Sequence, residues 1–276
     1  VMDEVVVIGY GTTTKKELTG SVSSLNSADF KQGNISDPIQ LLQGKIAGLN
    51  IINGAGADPN GEFEIQLRGM STMAGGAEPL IVIDGVSGGS LSSISPDDIE
   101  SIDVLKDGSA AAIYGTRGTN GVILVTTKKA KPGRNIIELS TYVAIQKVYR
   151  KPEMMSASEF RQTINDFFPT QVDAYDYGTS TDWFDEITRS TPVSQYYNLS
   201  TSGGSSSLNY RANLSWQDNQ GLVQKSSSNK LRGRINVSQT GINDRLRLNY
   251  NFSYATSKKA FADKYIVRQA MLRNPT

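Results

Sequence analysis

Hydrophobic and polar positions follow different patterns in the two parts of this chain. Up to Lys129, short runs of apolar and β-branched residues, such as Leu80–Ile83 and Val122–Thr127, are separated by turns rich in glycine and aspartate. This pattern is typical of short, buried strands in a compact α/β unit. From Asn135 onward, apolar and polar residues alternate one by one over longer segments. Such alternation predicts strands with one apolar and one polar face.

Clear local signals follow the first of these runs. Asp84-Gly85 ends the strand with a dipeptide that suits a tight hairpin turn. Ser95 precedes a proline and two acids, which predicts a helical turn capped by the serine side chain. A second strand is predicted over Ile102–Leu105, because this run is again apolar and bounded by turn residues.

The next segment predicts a short helix and a third strand. Residues 109–114 are rich in alanine, the best helix former, and Gly115 follows where a helix-ending glycine is expected. Gly118 and Asn120-Gly121 then reverse the chain into the strand Val122–Thr127. The result is a strand–turn–helix–turn–strand unit.

The region upstream supplies further elements. Asp37-Pro38 combines a capping residue with a proline and predicts a short helix with one apolar face. Strands are predicted over Leu49–Ile52 and Phe63–Leu67. We therefore expect a domain of about four strands and two or three short helices within residues 20–129.

Three sequence motifs in this domain are similar to those of a known family. The run DIESIDVLKDGSAAAIYGTRGTNGVILVTTKK at residues 98–129, with PLIVIDG at 79–85 and LRGM at 67–70, closely resembles the plug domain of SusC/RagA-type TonB-dependent outer-membrane transporters. The resemblance extends to residues 3–11 and 181–187. It implies an α/β plug inside the lumen of a membrane β-barrel. The motif residues are expected to shape the plug, and Arg68 to link it to the barrel wall; they are Arg68, Gly69, Asp84, Gly85, Gly115, Gly118, Asn120 and Gly121.

The N-terminal run of β-branched residues has two interpretations. Val5–Ile8 follows two acids and ends at Gly9, and such a run is usually a buried strand. Alternatively it is an exposed peptide that adds as a strand to the sheet edge of a partner protein. Its position and its similarity to the TonB box of the family favour the second interpretation. The resemblance then implies that TonB is bound by Asp3, Glu4, Val5, Val6, Val7, Ile8 and Gly9.

Five segments carry the one-by-one alternation of the second part. They lie around Ile137–Ile145, Tyr197–Thr201, Leu208–Trp216, Leu231–Val237 and Leu246–Tyr254. Strands of soluble sandwiches are usually about 5 to 6 residues long, whereas most of these segments run to about ten, which matches strands that cross a membrane. We therefore predict antiparallel strands of a β-barrel whose apolar face contacts outer-membrane lipid.

The connections between these segments alternate in length. Residues 203–207 and 240–244 are short, whereas residues 150–192 form a long loop. Because barrels of this kind place short turns in the periplasm, the long loop is assigned to the cell exterior. The capping box Ser156-x-x-Glu159 predicts a helix near Ala157–Asp166 within it.

The number of strands predicts that the barrel continues outside this chain. Five or six strands would enclose a cylinder only about 10 Å across, too narrow for a plug whose radius of gyration is about 13 Å. Plugged barrels have about 22 strands. We expect a longer polypeptide in which residues 1–19 are the TonB box and linker, 20–129 the plug, and 130–276 the N-terminal part of the barrel.

Composition excludes several classes of function. The 276 residues contain no cysteine and no histidine, which excludes thiol catalysis, serine–histidine triads and Cys/His zinc sites. A formal charge of +1 does not indicate a nucleic-acid partner. The aspartates and glutamates of residues 84–107 resemble paired carboxylates of a hydrolase, but each has a structural explanation in a turn, a cap or a strand. We expect no enzyme activity, no metal and no cofactor.

The resemblance implies a nutrient importer of the bacterial outer membrane. TonB, with its inner-membrane motor complex, would pull on the N-terminal peptide, and a SusD-like lipoprotein would cover the extracellular mouth. The small nutrient ligand would be an oligosaccharide or a peptide, and its binding residues are not assigned. The alternative is a structural or secretion-associated barrel with a permanent plug and no import.

Overall fold

The computed structural model describes the chain apart from residues 1–4, 9–10, 15–21, 31–32, 55, 57, 68–77, 107–111, 131–132, 244 and 264. The first described element is an antiparallel hairpin of β1 (Val5–Ile8) and β2 (Gly11–Thr14). The predicted N-terminal peptide is thus extended over its apolar residues. Within the described residues, β1 is hydrogen-bonded to β2 alone.

An α/β domain follows the hairpin. Its strands are β3 (Val22–Asn26), β4 (Leu49–Asn53), β5 (Phe63–Leu67), β6 (Leu80–Ile83), β7 (Val86–Ser87), β8 (Ile99–Leu105) and β9 (Val122–Thr127). One sheet has the order β3-β8-β9-β6-β7, in which only β6 and β9 are parallel, and β4 pairs with β5 in a separate hairpin.

The prediction of about four strands in this domain is wrong, because the structure describes seven. β3 carries only two large apolar residues among serines, and β7 is two residues long, so neither produces a recognisable run. β8 begins three residues before the predicted start, at Ile99, directly after the turn that precedes it.

The predicted helices of this domain are short 3-10 turns. Pro38–Leu42 is one of them, and its N-cap is Asp37, whose side chain accepts a hydrogen bond from the Ile39 amide at 3.0 Å. Pro96–Asp98 is another, but the Ser95 side chain does not cap it, contrary to prediction. Of the predicted helix over residues 109–114, the first three lie outside the described residues. Ala112–Gly118 is a 3-10 segment interrupted at Gly115, where φ is +66°.

The hydrophobic core lies within the α/β domain. The central strands β8 and β9 are its most buried part, since Ile99, Ile102 and Ile123 have no exposed surface. One face of the sheet packs against the 3-10 turns and the β4–β5 hairpin, and the other face forms a smaller cluster around Leu105 and Val122.

A second sheet of long strands surrounds one side of this domain, and we call it the long-strand sheet. It consists of β10 (Gly133–Ile145), β11 (Val193–Gly204), β12 (Leu208–Gln220), β13 (Ser227–Gly241) and β14 (Leu246–Ala260). The five strands pair antiparallel in chain order, as predicted, and each has 12 to 15 residues.

The long-strand sheet exposes apolar side chains and buries polar ones, which is the reverse of a sheet in a soluble protein. Ile137 on β10 is 75% exposed, whereas Gln217 on β12 has no exposed surface. Leu139, Leu199 and Leu214 stand opposite one another on the outer face of neighbouring strands. On β11, β12 and the first half of β13 the polar residues of the opposite parity face the α/β domain, whereas both faces of β14 are exposed. The predicted separation of an apolar outer face from a polar inner face is therefore confirmed where the domain covers the sheet.

Helices occur at one end of this sheet. The predicted capped helix is α1 (Ala157–Phe167), with Ser156 and Glu159 forming the capping box, and it is confirmed. The same connection, residues 146–192, contains α2 (Val172–Tyr175) and α3 (Trp183–Ile187), and α4 (Ile266–Leu272) follows β14. In the part of the chain that the structure describes, no helix has the length and apolar character to cross a bilayer.

Candidate functional site: the seam between the α/β domain and the long-strand sheet

The polar face of the long-strand sheet and the α/β domain meet along an interface that we call the seam. Long side chains from the strands reach across it to backbone carbonyls. Gln217 Nε2 donates to the Ile35 carbonyl at 2.9 Å, and Arg232 Nε donates to the Ser92 carbonyl at 2.8 Å. Lys230 Nζ donates at 2.9 Å to a third carbonyl, that of residue 36. Contacts to backbone carbonyls hold the domain in place without requiring particular side chains on it.

One seam contact runs in the opposite direction. The Asn60 amide, which lies in the loop between β4 and β5, donates to the carbonyls of Ser227 and Ala260 at 3.0 and 2.7 Å. These carbonyls lie at the helix-bearing end of β13 and β14. The loop therefore fixes the α/β domain to the rim of the sheet.

A tyrosine pair occupies the part of the seam nearest β10. Tyr196 on β11 stacks on Tyr142 of β10, with ring centroids 4.9 Å apart. The Tyr196 hydroxyl donates to the Asp97 carboxylate at 2.9 Å and lies 2.7 Å from the Ser95 hydroxyl. This explains why Ser95 does not cap its helical turn, since its hydroxyl is used across the seam.

Asp98 forms the first of the two buried ion pairs that the described residues make across the seam. Its Oδ1 lies 3.5 Å from Arg211 Nη2 on β12, and both side chains are almost fully buried. Arg211 also lies 3.3 Å from the Ser200 hydroxyl on the neighbouring strand β11 and 3.7 Å from the Glu138 carboxylate on β10, one strand further. Burial raises the pKa of Asp98 to about 6, and Arg211 offsets that rise only in part.

Asp84 forms the second ion pair, with Arg234 on β13. The side chains of Asp84 and Arg234 are 7% and 11% exposed. The same carboxylate accepts hydrogen bonds from the Thr127 amide at 2.9 Å and the Thr127 hydroxyl at 2.8 Å. Asp84 therefore joins three parts of the molecule: the β6–β7 turn, the end of β9 and the long-strand sheet.

The described contacts across the seam are mainly polar. Both hydrophobic clusters consist of α/β-domain residues, and neither includes a residue of the long-strand sheet. Several buried seam atoms also have no hydrogen-bond partner, among them Ser194 Oγ, Ser215 Oγ and Ser228 Oγ. The described contacts that hold the domain against the sheet are mainly hydrogen bonds and ion pairs.

Two cavities lie along the seam. One, of about 540 Å³, has the cations Lys230 and Lys259 on the sheet side and the acids Glu62 and Glu64 on the domain side. The other, of about 650 Å³, lies beside the tyrosine pair. Among the described residues there is no cluster of three or more acids that can hold a metal ion.

The structure gives the sequence-predicted motif residues separate places. Asp84 and Gly85 form the turn between β6 and β7, with φ of +48° and +86°. Gly115 interrupts its 3-10 segment, and Gly121 has a φ of +92° just before β9. Gly118 and Asn120 lie between these two glycines. The remaining predicted residues, Asp3, Glu4, Gly9, Arg68 and Gly69, lie outside the described residues.

Sequence reasoning missed the residues that bind the domain to the sheet. Arg211, Arg232 and Arg234 alternate with apolar residues, and this alternation by itself predicts only a polar face. Their charge was an available signal, because cations on the inner face of a barrel need acceptors. Their acceptors come from distant turns, which the sequence does not connect to them.

The loop connections at the helix-bearing end are tied together. Arg189, which follows α3, donates from Nη1 to the carbonyls of Gly221, Val223 and Ser226, at 2.6 to 3.0 Å. Trp183 Nε1 donates to the Asn274 carbonyl at 2.7 Å. These bonds join the long loop to the β12–β13 turn and to the segment after β14.

Comparison with known proteins identifies both parts of the chain. Residues 14–122 match the family model of the TonB-dependent receptor plug domain. The chain is 37% identical over 274 residues to the TonB-dependent receptor SusC of Bacteroides thetaiotaomicron, which covers 95% of this chain and 27% of that protein. It is 36% identical over 271 residues to the TonB-dependent receptor P26 of Formosa agariphila, covering 92% of this chain and 27% of the relative.

A solved structure agrees in fold with the whole arrangement. The chain superposes on the RagAB peptide importer in its open-open state with a TM-score of 0.82 and 25% identity, covering 95% of this chain and 33% of the other. The chain therefore spans about a quarter to a third of the proteins that it matches. The α/β domain is a plug, the long-strand sheet is a portion of barrel wall, and the chain belongs to the SusC/RagA type of TonB-dependent receptors.

Proposed function

We propose that the whole protein imports a nutrient across the bacterial outer membrane, driven by TonB, with the plug as a removable gate. The observation that carries this proposal is the chemistry of the seam. In the described residues the apolar core lies wholly within the plug, and the plug contacts the barrel wall through hydrogen bonds and two ion pairs. Permanent interfaces are more hydrophobic and resemble a divided domain core. A polar seam instead suits a domain that leaves and returns.

The same observation weighs against the alternative of a structural or secretion-associated barrel with a permanent plug. Apolar contacts with the wall would stabilise a permanently seated plug, because burying apolar surface away from water is favourable. Here the inner face of the wall carries serine, asparagine, glutamine and arginine instead.

The N-terminal peptide is the proposed handle. Val5–Ile8 forms a strand that pairs on one edge with Gly11–Thr14. A strand has two hydrogen-bonding edges, and the other edge suits addition to a sheet of TonB. Force applied there would pass through residues 15–21 into β3 and so into the plug.

Deletion of residues 3–9 from the full-length receptor tests this role. We expect uptake to be abolished and ligand binding at the cell surface to be unchanged, because the deleted segment lies in the handle and not in the barrel. A point variant sharpens the test: Val7→Pro removes an amide needed for strand pairing, whereas the control Val7→Thr retains strand propensity. Normal uptake by the deletion or by Val7→Pro would refute the proposal.

The partner and the ligand are proposed from the comparisons. RagAB is a peptide importer, and its name denotes two components, so we propose a SusD-like lipoprotein at the extracellular end of this receptor. We propose an oligosaccharide or a peptide as the ligand: RagAB is a peptide importer, and the 37% identity to SusC and 25% identity to RagAB do not decide between the two classes. Growth of a deletion strain on panels of both would separate them. We propose no enzymatic step and no nucleic-acid partner.

A further inference from the structure

The two ion pairs described across the seam differ in the interaction partners that remain on the wall for each arginine when the plug moves away. We propose that Asp84–Arg234 is the retaining contact that keeps the plug closed, whereas Asp98–Arg211 is a contact built for release. The inference rests on the proposed function only in treating the plug as a movable gate.

Asp84 is placed to hold the plug at its attachment to the barrel. Thr127, which donates two hydrogen bonds to Asp84, is the last residue of β9. The chain then passes within a few residues to β10, the first strand of the wall. The carboxylate therefore fixes the point where plug and wall are covalently connected, and Arg234 completes the link from the wall side.

The order of the plug sheet places this contact far from the pulled end. β3, the strand that follows the N-terminal segment, is at one edge of the order β3-β8-β9-β6-β7. Asp84 lies in the β6–β7 turn at the opposite edge. A pull through β3 therefore has to be transmitted through β8 and β9 before it reaches the Asp84–Arg234 pair.

The two arginines have different alternatives on the wall. Arg211 lies 3.7 Å from the Glu138 carboxylate and 3.3 Å from the Ser200 hydroxyl, so it keeps a carboxylate and a hydroxyl when Asp98 departs. Arg234 donates from Nε to the neutral Asn236 side chain at 3.2 Å, and Asp84 is the only carboxylate paired with it among the described residues. The charge of Asp98 also acts on Arg234 while the plug is in place, but Asp98 belongs to the plug, so departure of the plug leaves Arg234 with no ion-paired carboxylate among the described residues of the wall.

The decisive variant is Asp84→Asn in the full-length receptor. Asparagine tolerates the positive φ of this turn and still offers an oxygen to Thr127, so the variant removes the charge while keeping the turn. The test uses cells that lack TonB and measures entry of vancomycin, which intact outer membranes exclude. We expect Asp84→Asn to admit at least about tenfold more vancomycin than the parent receptor, because a broken buried ion pair is strongly destabilising.

Two comparisons make the result specific. Asp98→Asn should leak much less than Asp84→Asn, because Glu138 remains for Arg211. Glu153→Gln, at a glutamate whose side chain is 97% exposed in the long loop, controls for loss of charge as such and should not leak. Arg234→Gln should leak like Asp84→Asn, and the double variant should leak no more than either single one, as expected for partners in one interaction.

Receptor abundance in the outer membrane, measured by immunoblot, separates leakage from misfolding. A tight Asp84→Asn receptor at normal abundance would overturn the proposal, as would equal leakage from Asp98→Asn or additive leakage in the double variant. Because the assay omits TonB, its result is independent of whether deletion of residues 3–9 abolishes import.

Discussion

At the scale of single residues, Asp98 shows how burial and charge compete within the seam. Arg211, Arg234 and Lys128 all favour its ionised form, yet burial outweighs them and raises its pKa from 3.8 to about 6. The ion pair is therefore incompletely compensated, because the free energy of hydration that the carboxylate loses on burial exceeds the attraction between the carboxylate and the arginine. The interface between plug and wall is therefore weaker at a pH at which Asp98 is ionised than at a pH at which it is protonated.

This gives a pH dependence with a defined sign. The native pKa of Asp98 exceeds the unfolded value, so the native state binds the proton more tightly and this stabilisation is complete below pH about 4. It is lost as the pH rises through about 6, with a total change of at most about 3 kcal/mol at 1.4 kcal/mol per tenfold change. Differential protease sensitivity of the plug between pH 4.5 and 7.5 measures it.

The matched variant for this prediction is Asp98→Asn, which cannot titrate. We expect the protease sensitivity of its plug to change less with pH than that of the parent receptor over the same range. The same slope in both receptors would assign the pH dependence to other groups.

At the scale of elements, the periodic segments were predictable and the short ones were not. The five long strands and the capped helix α1 have local patterns that tertiary packing does not need to modify. β7 and the 3-10 turns depend on what packs around them. Ser95 shows the reason most directly: its local sequence predicts a cap, and a tyrosine 101 positions away takes the hydroxyl.

The ion pairs of the seam were unpredictable for the same reason. Asp84 was correctly interpreted as a turn residue, but the turn also places its carboxylate against Arg234, which is 150 residues away. No periodicity connects the two positions. The glycine-rich turn before β9 was easier to predict from the sequence, because a turn position with a positive φ accepts few residues other than glycine.

Gly121 provides a prediction about packing between elements. It lies just before β9 with a φ of +92°, and a Cβ there would meet the Leu67 side chain of β5 and, at 3.1 Å, the Leu105 carbonyl of β8. Gly121→Ala therefore combines backbone strain with overpacking, which we expect to cost about 2 to 5 kcal/mol in unfolding free energy.

The control is Gly115→Ala, since Gly115 has a φ of +66° but open space at the Cβ position. Its cost should be about 1 to 3 kcal/mol from the backbone alone, because a φ of +66° with a ψ of −155° is a conformation that essentially only glycine adopts. Thermal denaturation of the two purified variant receptors compares their losses of stability. Equal losses would show that crowding against Leu67 and Leu105 has no part in the effect.

At the scale of the whole molecule, the direction of the apolar face decides what surrounds the protein. Leu139, Leu199 and Leu214 form a row across three strands on the face opposite the plug. Exposed leucines in such a row are unfavourable in water and favourable in a bilayer. The plug covers the polar face of β11, β12 and the first half of β13, so the apolar face opposite it is satisfied only if lipid contacts it.

Depth along one strand tests this placement. Leu199 lies near the middle of β11, and Gln195, on the same face, lies near its end. An arginine facing lipid costs about 2–4 kcal/mol at the bilayer midplane and about 0–1 kcal/mol near the interface. We therefore expect Leu199→Arg to reduce folding into lipid vesicles far more than Gln195→Arg, as measured by urea titration of the full-length receptor. Since both changes add the same charge to the same strand and face, equal costs would mean that the bilayer is not what contacts this surface.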